Sequence, residues 1–109
     1  MTDLLQGIRI LDFGRYIAGP FCSALLGDLG AEVIRVEKVG GGEDRFLMPV
    51  TRGGDGGFYL QVNRGKRAMT LDVNCREGQV VLQRLVATTD VVVANLPDAA
   101  LKKLHLDYE

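Results

Sequence analysis

The sequence predicts an α/β fold built on a mainly parallel sheet with flanking helices. Three observations carry this reading. Short apolar, β-branched runs alternate along the chain with segments of helical period. The first two runs are separated by one helix-length segment, the spacing of a βαβ unit, which makes their strands parallel. The composition is ordinary for a globular protein: 47% of the 109 residues are hydrophobic and 25% charged, which bounds the chain to one domain.

Gly7 to Phe13 (GIRILDF) reads as the first strand, an apolar run closed by Gly14. Gly14 to Pro20 is a loop. Pro20 suits the first helical position, where a missing N–H loses no partner. Phe21, Ala24, Leu25 and Leu29 then recur at helical spacing, and Gly30 stands where a left-handed C-terminal cap is wanted. Glu32 to Glu37 (EVIRVE) is the second strand.

Lys38 to Gly57 differs in kind. It holds seven of the 14 glycines and no clear period. A loop of that length in a compact domain is functional or disordered. Phe58 to Val62 reads as a helical turn, Asn63 to Lys66 as a turn, and Arg67 to Val73 as the third strand. Asn74-Cys75-Arg76-Glu77 has the form of a capping box with Asn74 as the cap. Val81, Leu82, Leu85 and Val86 follow at helical spacing. Asp90 to Ala94 is expected to be a fourth, fully buried strand, and Asp98 to Leu104 a short helix. The chain stops at LHLDYE without a closing strand, so the sheet is expected to be an incomplete part of a larger domain.

Charge narrows the partners. The net charge is −1, too small for bulk attraction to nucleic acid or an anionic membrane. From Lys38 to Arg67 the balance is +3, however, against −4 for the remainder, which fits a small polyanionic ligand. No apolar run approaches the ~20 residues of a membrane span, and Met1 to Arg9 lacks the basic and apolar regions of a secretory signal. Cys22 and Cys75 form no CxxC pair, and with one histidine no metal site is expected. The expectation is a cytoplasmic protein with two reduced, packed thiols.

Ligands of parallel sheets gather at the carboxyl ends of strands, and helix N-termini attract phosphate. Here the first strand ends in Asp12-Phe13-Gly14, and GRYIAGP leads into a helix. Glu37 ends the second strand, where a dinucleotide fold keeps its ribose-binding acid. The fingerprint G-x-G-x-x-G is nevertheless absent, which argues against NAD. Arg64-Gly65-Lys66-Arg67 reads either as a phosphate clamp or as a solvated turn. No Ser/His/Asp arrangement is present, and His105 reads as a cap or surface residue.

The series LDFGRYIAGPFCSALLGDLGAEVIRVEKVGGGEDR, NRGKRAMTLDVNCREGQ, DVVVANL and LDYE resembles the N-terminal part of class III CoA-transferases, a family that includes formyl-CoA transferase and carnitine CoA-transferase, with α-methylacyl-CoA racemase as a relative. The resemblance covers nearly all of the chain. It implies that residues 1–109 are the N-terminal CoA-binding portion of a Rossmann-like large domain, in a longer chain that forms interlocked homodimers. The implied reaction transfers CoA from an acyl-CoA to a carboxylic acid through an aspartyl-CoA intermediate. The nucleophilic aspartate matches nothing here, so no catalytic residue is nominated, and the 109 residues alone are expected to be inactive. A racemase, or a non-catalytic nucleotide-binding module, is the alternative.

The resemblance also implies CoA-binding positions. Arg15, Tyr16, Ile17 and Ala18 match residues against the nucleotide, and Lys38 one beside the adenine. Leu71 and Asn74 match contacts after the third strand. Asn95, Leu96 and Pro97 match a loop lining the CoA path, and Lys103 a basic residue near the phosphates. Departures from the family pattern are Asn74 in place of a Lys, Lys103 in place of an Arg, and His105 where a Gly is usual.

Overall fold

The computed structural model describes residues 4–108. Strands β1 (Arg9–Asp12), β2 (Glu32–Glu37), β3 (Arg67–Thr70) and β4 (Val91–Val93) form one sheet in the order β3-β2-β1-β4. Every neighbouring pair is parallel. Helices α1 (Ala18–Asp28), α2 (Gly57–Val62) and α3 (Arg76–Ala87) lie in the connections between strands. α4 (Asp98–Lys103) follows β4, and a 3-10 turn spans Glu43–Phe46. The α/β, parallel architecture is thus the one the alternation of runs predicts. Among the described residues no helix is long and apolar enough to cross a membrane.

The pleat sorts the sheet into two unlike faces. Leu11 and Phe13 of the first strand region and Ile34 and Val36 of β2 share one face, where Leu82 of α3 and Leu104 complete a buried apolar cluster. The alternate residues Ile10, Asp12, Val33, Arg35 and Glu37 point to the other face and are also buried. Three of those five are charged, so this face must supply its own counter-ions.

α1 covers the second face, and it does so with its small residues. Gly19, Pro20, Ser23 and Ala24 are buried, while Phe21 is 47% and Leu25 46% exposed. Of the residues read at helical spacing, Phe21, Leu25 and Leu29 thus face outward and Ala24 alone faces inward. Close approach explains this: a Cβ on Gly14 would lie 2.8 Å from Pro20 Cδ and 2.9 Å from the Gly19 carbonyl carbon. Large side chains do not fit between helix and strand. Cys22, expected to be packed, is exposed on the same outward side.

Helix ends also depart from expectation. α1 starts at Ala18, making Pro20 its third residue rather than its first. Proline is harmless there, because the first intrahelical bond comes from the Phe21 N–H to the Ile17 carbonyl (2.8 Å). The expected glycine cap does form. Gly30 has φ +102°, its N–H donates to the Gly27 carbonyl (3.0 Å), and the Ala31 N–H donates to Leu26 (3.2 Å). Asn74 is not the cap of α3. Cys75 Sγ accepts the Gly78 N–H (3.3 Å) instead, and the Asn74 N–H donates to Asp72 Oδ1 (3.0 Å) in the turn that precedes the helix. β4 is an edge strand with Val91 and Val92 exposed, not a fully buried one, since it pairs with β1 alone.

Candidate functional site

The strand order turns at β1: the chain runs outward through β2 and β3, then returns to place β4 on the other side of β1. Open parallel sheets bind ligands beyond the carboxyl ends of strands at such a switch. Here the loops after β1 and β4 meet there. Asn95 Oδ1 accepts the Arg15 N–H (2.7 Å), and Asn95 Nδ2 donates to the Arg15 carbonyl (2.9 Å).

Beside this junction, a cavity of about 430 Å³ opens across the carboxyl ends of β1, β2 and β3. Phe13, Val36, Leu71, Val73, Leu96 and Leu104 give it an apolar floor. Arg15, Lys38, Glu37, Asp72 and Asn74 bring polar atoms to it. Its two cations and two anions balance, so the lining carries no net charge. No Ser, Cys, His or Tyr is among these lining residues. The apolar floor and polar rim suit the cavity to holding a partly apolar group.

Of the eleven residues nominated from the sequence, Arg15, Lys38, Leu71, Asn74 and Leu96 line this cavity together. Asn95 is joined to it through the Arg15 peptide. Tyr16 and Ile17 are exposed at the mouth of the crevice, and Ala18 opens α1. Pro97 caps the start of α4. Lys103, exposed on α4, does not line the cavity. Phe13, Val36 and Leu104 were not nominated, yet Phe13 and Val36 carry a legible signal: each sits at or just past the carboxyl end of a parallel strand.

The cations near the site are largely engaged by the protein itself. Arg15 Nη1 donates to the Phe13 (3.1 Å) and Gly14 (2.8 Å) carbonyls, and Nη2 to that of Val36 (3.2 Å). It thereby ties the end of β1 to the end of β2. Lys38 is exposed and pairs with Glu43. The carboxyl of Glu43 is held below its ordinary value by that hydrogen bond.

The Arg64-Gly65-Lys66-Arg67 turn pairs with protein carboxylates. Arg64 reaches Asp28 (2.5 Å) and Arg67 reaches Glu32 (2.8 Å), both at the surface. Lys66 is different, with its side chain 2% exposed. Its Nζ donates to Asp12 Oδ2 (2.7 Å), the Pro20 carbonyl (2.8 Å) and Asn63 Oδ1 (2.8 Å). Asp12 also accepts from Ser23 Oγ (2.6 Å) and the Gly14 N–H (2.7 Å). Burial pulls the Lys66 pKa down, against the opposing pull of Asp12. Lys66 is thus a counter-ion for the sheet's charged face.

A second set of charges completes that face. Arg35, fully buried, donates from Nε to Glu37 (2.7 Å) and from Nη2 to both oxygens of Asp44 (2.9 Å each). Arg45 donates to Glu37 Oε2 (2.7 Å) and lies 4.3 Å from the centre of the Tyr59 ring. Burial disfavours the charged form of Glu37. The hydrogen bonds from Arg35 and Arg45 outweigh it and hold this carboxyl below its ordinary value. Glu37 is therefore occupied by two arginines, not available to a ribose. Together these residues fasten the long glycine-rich segment to β2.

The model of CoA-transferase family III matches residues 5–109. Succinyl-CoA:glutarate CoA-transferase of Homo sapiens is 42% identical over 106 residues, covering 96% of this chain and 24% of that protein. Succinate--glutarate CoA-transferase of Agrobacterium fabrum is 39% identical over 122 residues, covering 100% of this chain and 30% of that protein. Among solved structures, a CAIB/BAIF family protein from Brucella suis superposes with a TM-score of 0.88 at 37% identity, over 99% of this chain and 30% of that one. The chain spans less than a third of the length of these relatives.

Proposed function

The chain belongs to CoA-transferase family III, and from that premise we propose that residues 1–109 form the N-terminal, CoA-binding portion of an acyl-CoA:carboxylate CoA-transferase. The cavity across the strand ends carries this reading. Its size is within the ~300–1,000 Å³ of small-molecule sites. Its floor of Phe13, Val36 and Leu71 suits the faces of an adenine ring, with Lys38 at its rim beside that ring. The nominated contacts Arg15, Lys38, Leu71, Asn74 and Leu96 are proposed to serve CoA there. Tyr16, Ile17, Ala18, Asn95 and Pro97 are proposed to shape the path beside it, with Lys103 further out.

In the proposed reaction an aspartate carboxylate outside these 109 residues attacks the thioester carbonyl and releases CoA thiolate, leaving a mixed anhydride. The thiolate then attacks the aspartyl carbonyl, giving an aspartyl-CoA thioester and freeing the donor acid. The acceptor acid takes CoA by the reverse steps. This is covalent catalysis by a carboxylate. The names of the relatives pair succinyl-CoA with glutarate or mesaconate, which supports a dicarboxylic acid as acceptor. A homodimer is proposed for the whole protein, to be checked by light scattering.

The test is CoA exchange by the full-length protein. Succinyl-CoA with glutarate or mesaconate should yield the new acyl-CoA, while the 109-residue chain alone should yield none. Exchange of the C2 hydrogen of a 2-methylacyl-CoA without CoA transfer would replace this reading with a racemase. Turnover by the 109 residues alone would overturn the placement of the nucleophile outside them.

A further inference from the structure

The Arg15–Tyr16 turn beside the cavity is held from two sides by side chains of separate connections. Asn95, after β4, engages the Arg15 N–H (2.7 Å) and carbonyl (2.9 Å). Asp44, on the 3-10 turn after β2, accepts the next amide, the Tyr16 N–H, at Oδ2 (3.0 Å). Three successive polar groups of this backbone are thus taken by side chains. Tyr16 is kept at φ +63°, a left-handed conformation that non-glycine residues avoid. Such strain persists only where the surroundings over-determine it, and it clusters at functional sites.

What fixes the turn reaches into the sheet. Asp44 is buried, and Arg35 Nη2 donates to both its oxygens at 2.9 Å. Arg35 is in turn fixed by Glu37 at 2.7 Å. A rigid chain of bonds therefore runs from β2 through Asp44 to one peptide N–H at the mouth of the switch-point crevice. Above that N–H the Tyr16 side chain is half-exposed. Asp44 itself does not line the cavity.

We propose that Asp44 is a positioning residue for the ligand. Through the Tyr16 N–H it holds the Arg15–Tyr16 turn in the shape that receives CoA, without touching CoA. This rests on the CoA-binding reading above. Arg45 supplies the internal contrast: it belongs to the same charged network, bonding Glu37 (2.7 Å) and stacking on Tyr59, yet among the described residues it makes no hydrogen bond or salt bridge with the turn.

The experiment is a calorimetric titration of CoA into the full-length protein and its Asp44→Asn, Asp44→Ala and Arg45→Met variants. Asp44→Ala should raise Kd by about tenfold or more, the effect of losing a hydrogen bond to a charged group, while Asp44→Asn, which keeps an acceptor oxygen for the Tyr16 N–H, should raise it less. Arg45→Met should lower thermal stability yet leave Kd within about twofold, as expected of a contact whose loss is only structural. Asn95→Ala combined with Asp44→Asn should cost less than the product of the single effects, because both hold one turn. A wild-type Kd in Asp44→Ala overturns the positioning role and leaves the CoA reading standing. Failure of the wild-type protein to bind CoA overturns both. Should the Asp44 variants not fold, wild-type amide exchange decides: the Tyr16 N–H should exchange slowly and more slowly still with CoA bound. Exchange at the rate of an open chain overturns the proposal.

Discussion

Replacing Lys66 by methionine should destabilise the sheet strongly, because it strands a buried carboxylate. Lys66→Met removes three hydrogen bonds made by Nζ, at 2.7, 2.8 and 2.8 Å. Asp12, fully buried, keeps only Ser23 Oγ and the Gly14 N–H as partners. No other salt-bridge cation reaches it among the described residues. Breaking a buried pair by removing one partner costs about 3–5 kcal/mol. That corresponds to an opening equilibrium of the sheet about 10²–10⁴-fold larger. Hydrogen exchange of β1 and β2 amides reads this directly, whatever the stability of the rest of the protein. Asp12→Asn together with Lys66→Met should recover at least about 2 kcal/mol, since replacing both partners removes the stranded charge. A solvated phosphate clamp behaves otherwise: its lysine contributes at most about 1 kcal/mol. An exchange rate raised less than about fivefold in Lys66→Met would refute the buried counter-ion role.

Three further outcomes follow from particular contacts. His105 has φ +54° just beyond the C-cap of α4, so His105→Gly should stabilise that helix end by about 1 kcal/mol, read as slower exchange of α4 amides. The folded pKa of Glu37 lies below its ordinary value of 4.5. Its contribution is therefore fully present above pH 4.5 and is lost as pH falls through the folded value; Glu37→Gln should flatten the acid limb of a stability–pH curve, and an unchanged limb would contradict the assignment. A Cβ on Gly19 would meet Gly14 Cα at 2.9 Å and Asn95 Oδ1 at 3.1 Å, so Gly19→Ala should cost about 1–3 kcal/mol and weaken CoA binding by displacing Asn95.

The parallel sheet was legible because β-branched runs and helical periods are local properties. EVIRVE coincides with β2 to the residue, and Gly30 forms the expected cap. What period cannot report is distance between elements. The apolar spacing of Phe21, Leu25 and Leu29 is real, but contact between Gly14 and Gly19 turns the small residues of α1 inward instead. The cap of α3 likewise sits one residue on from Asn74, at Cys75, where the helix starts only after the turn closed by Asp72 and Asn74.

The candidate site was legible only in part. Five nominated residues converge on one cavity, since strand ends in a parallel sheet are close by topology. The charge cluster around Gly65 stayed open between a clamp and a solvated turn because its partners, Asp12, Asp28 and Glu32, lie 35 to 54 residues away along the chain. Asp44 sits in a segment without period, and its bonds to Arg35 and Tyr16 become visible only once that segment folds back over β2.

Binding of CoA in the strand-end cavity is open to direct observation. Titrating the isotope-labelled full-length protein with CoA, and with NAD as control, tests it most directly by amide NMR. CoA-specific shifts are expected at Arg15, Lys38, Leu71 and Asn74, with NAD leaving them in place. Shifts at these residues with NAD and none with CoA would contradict it.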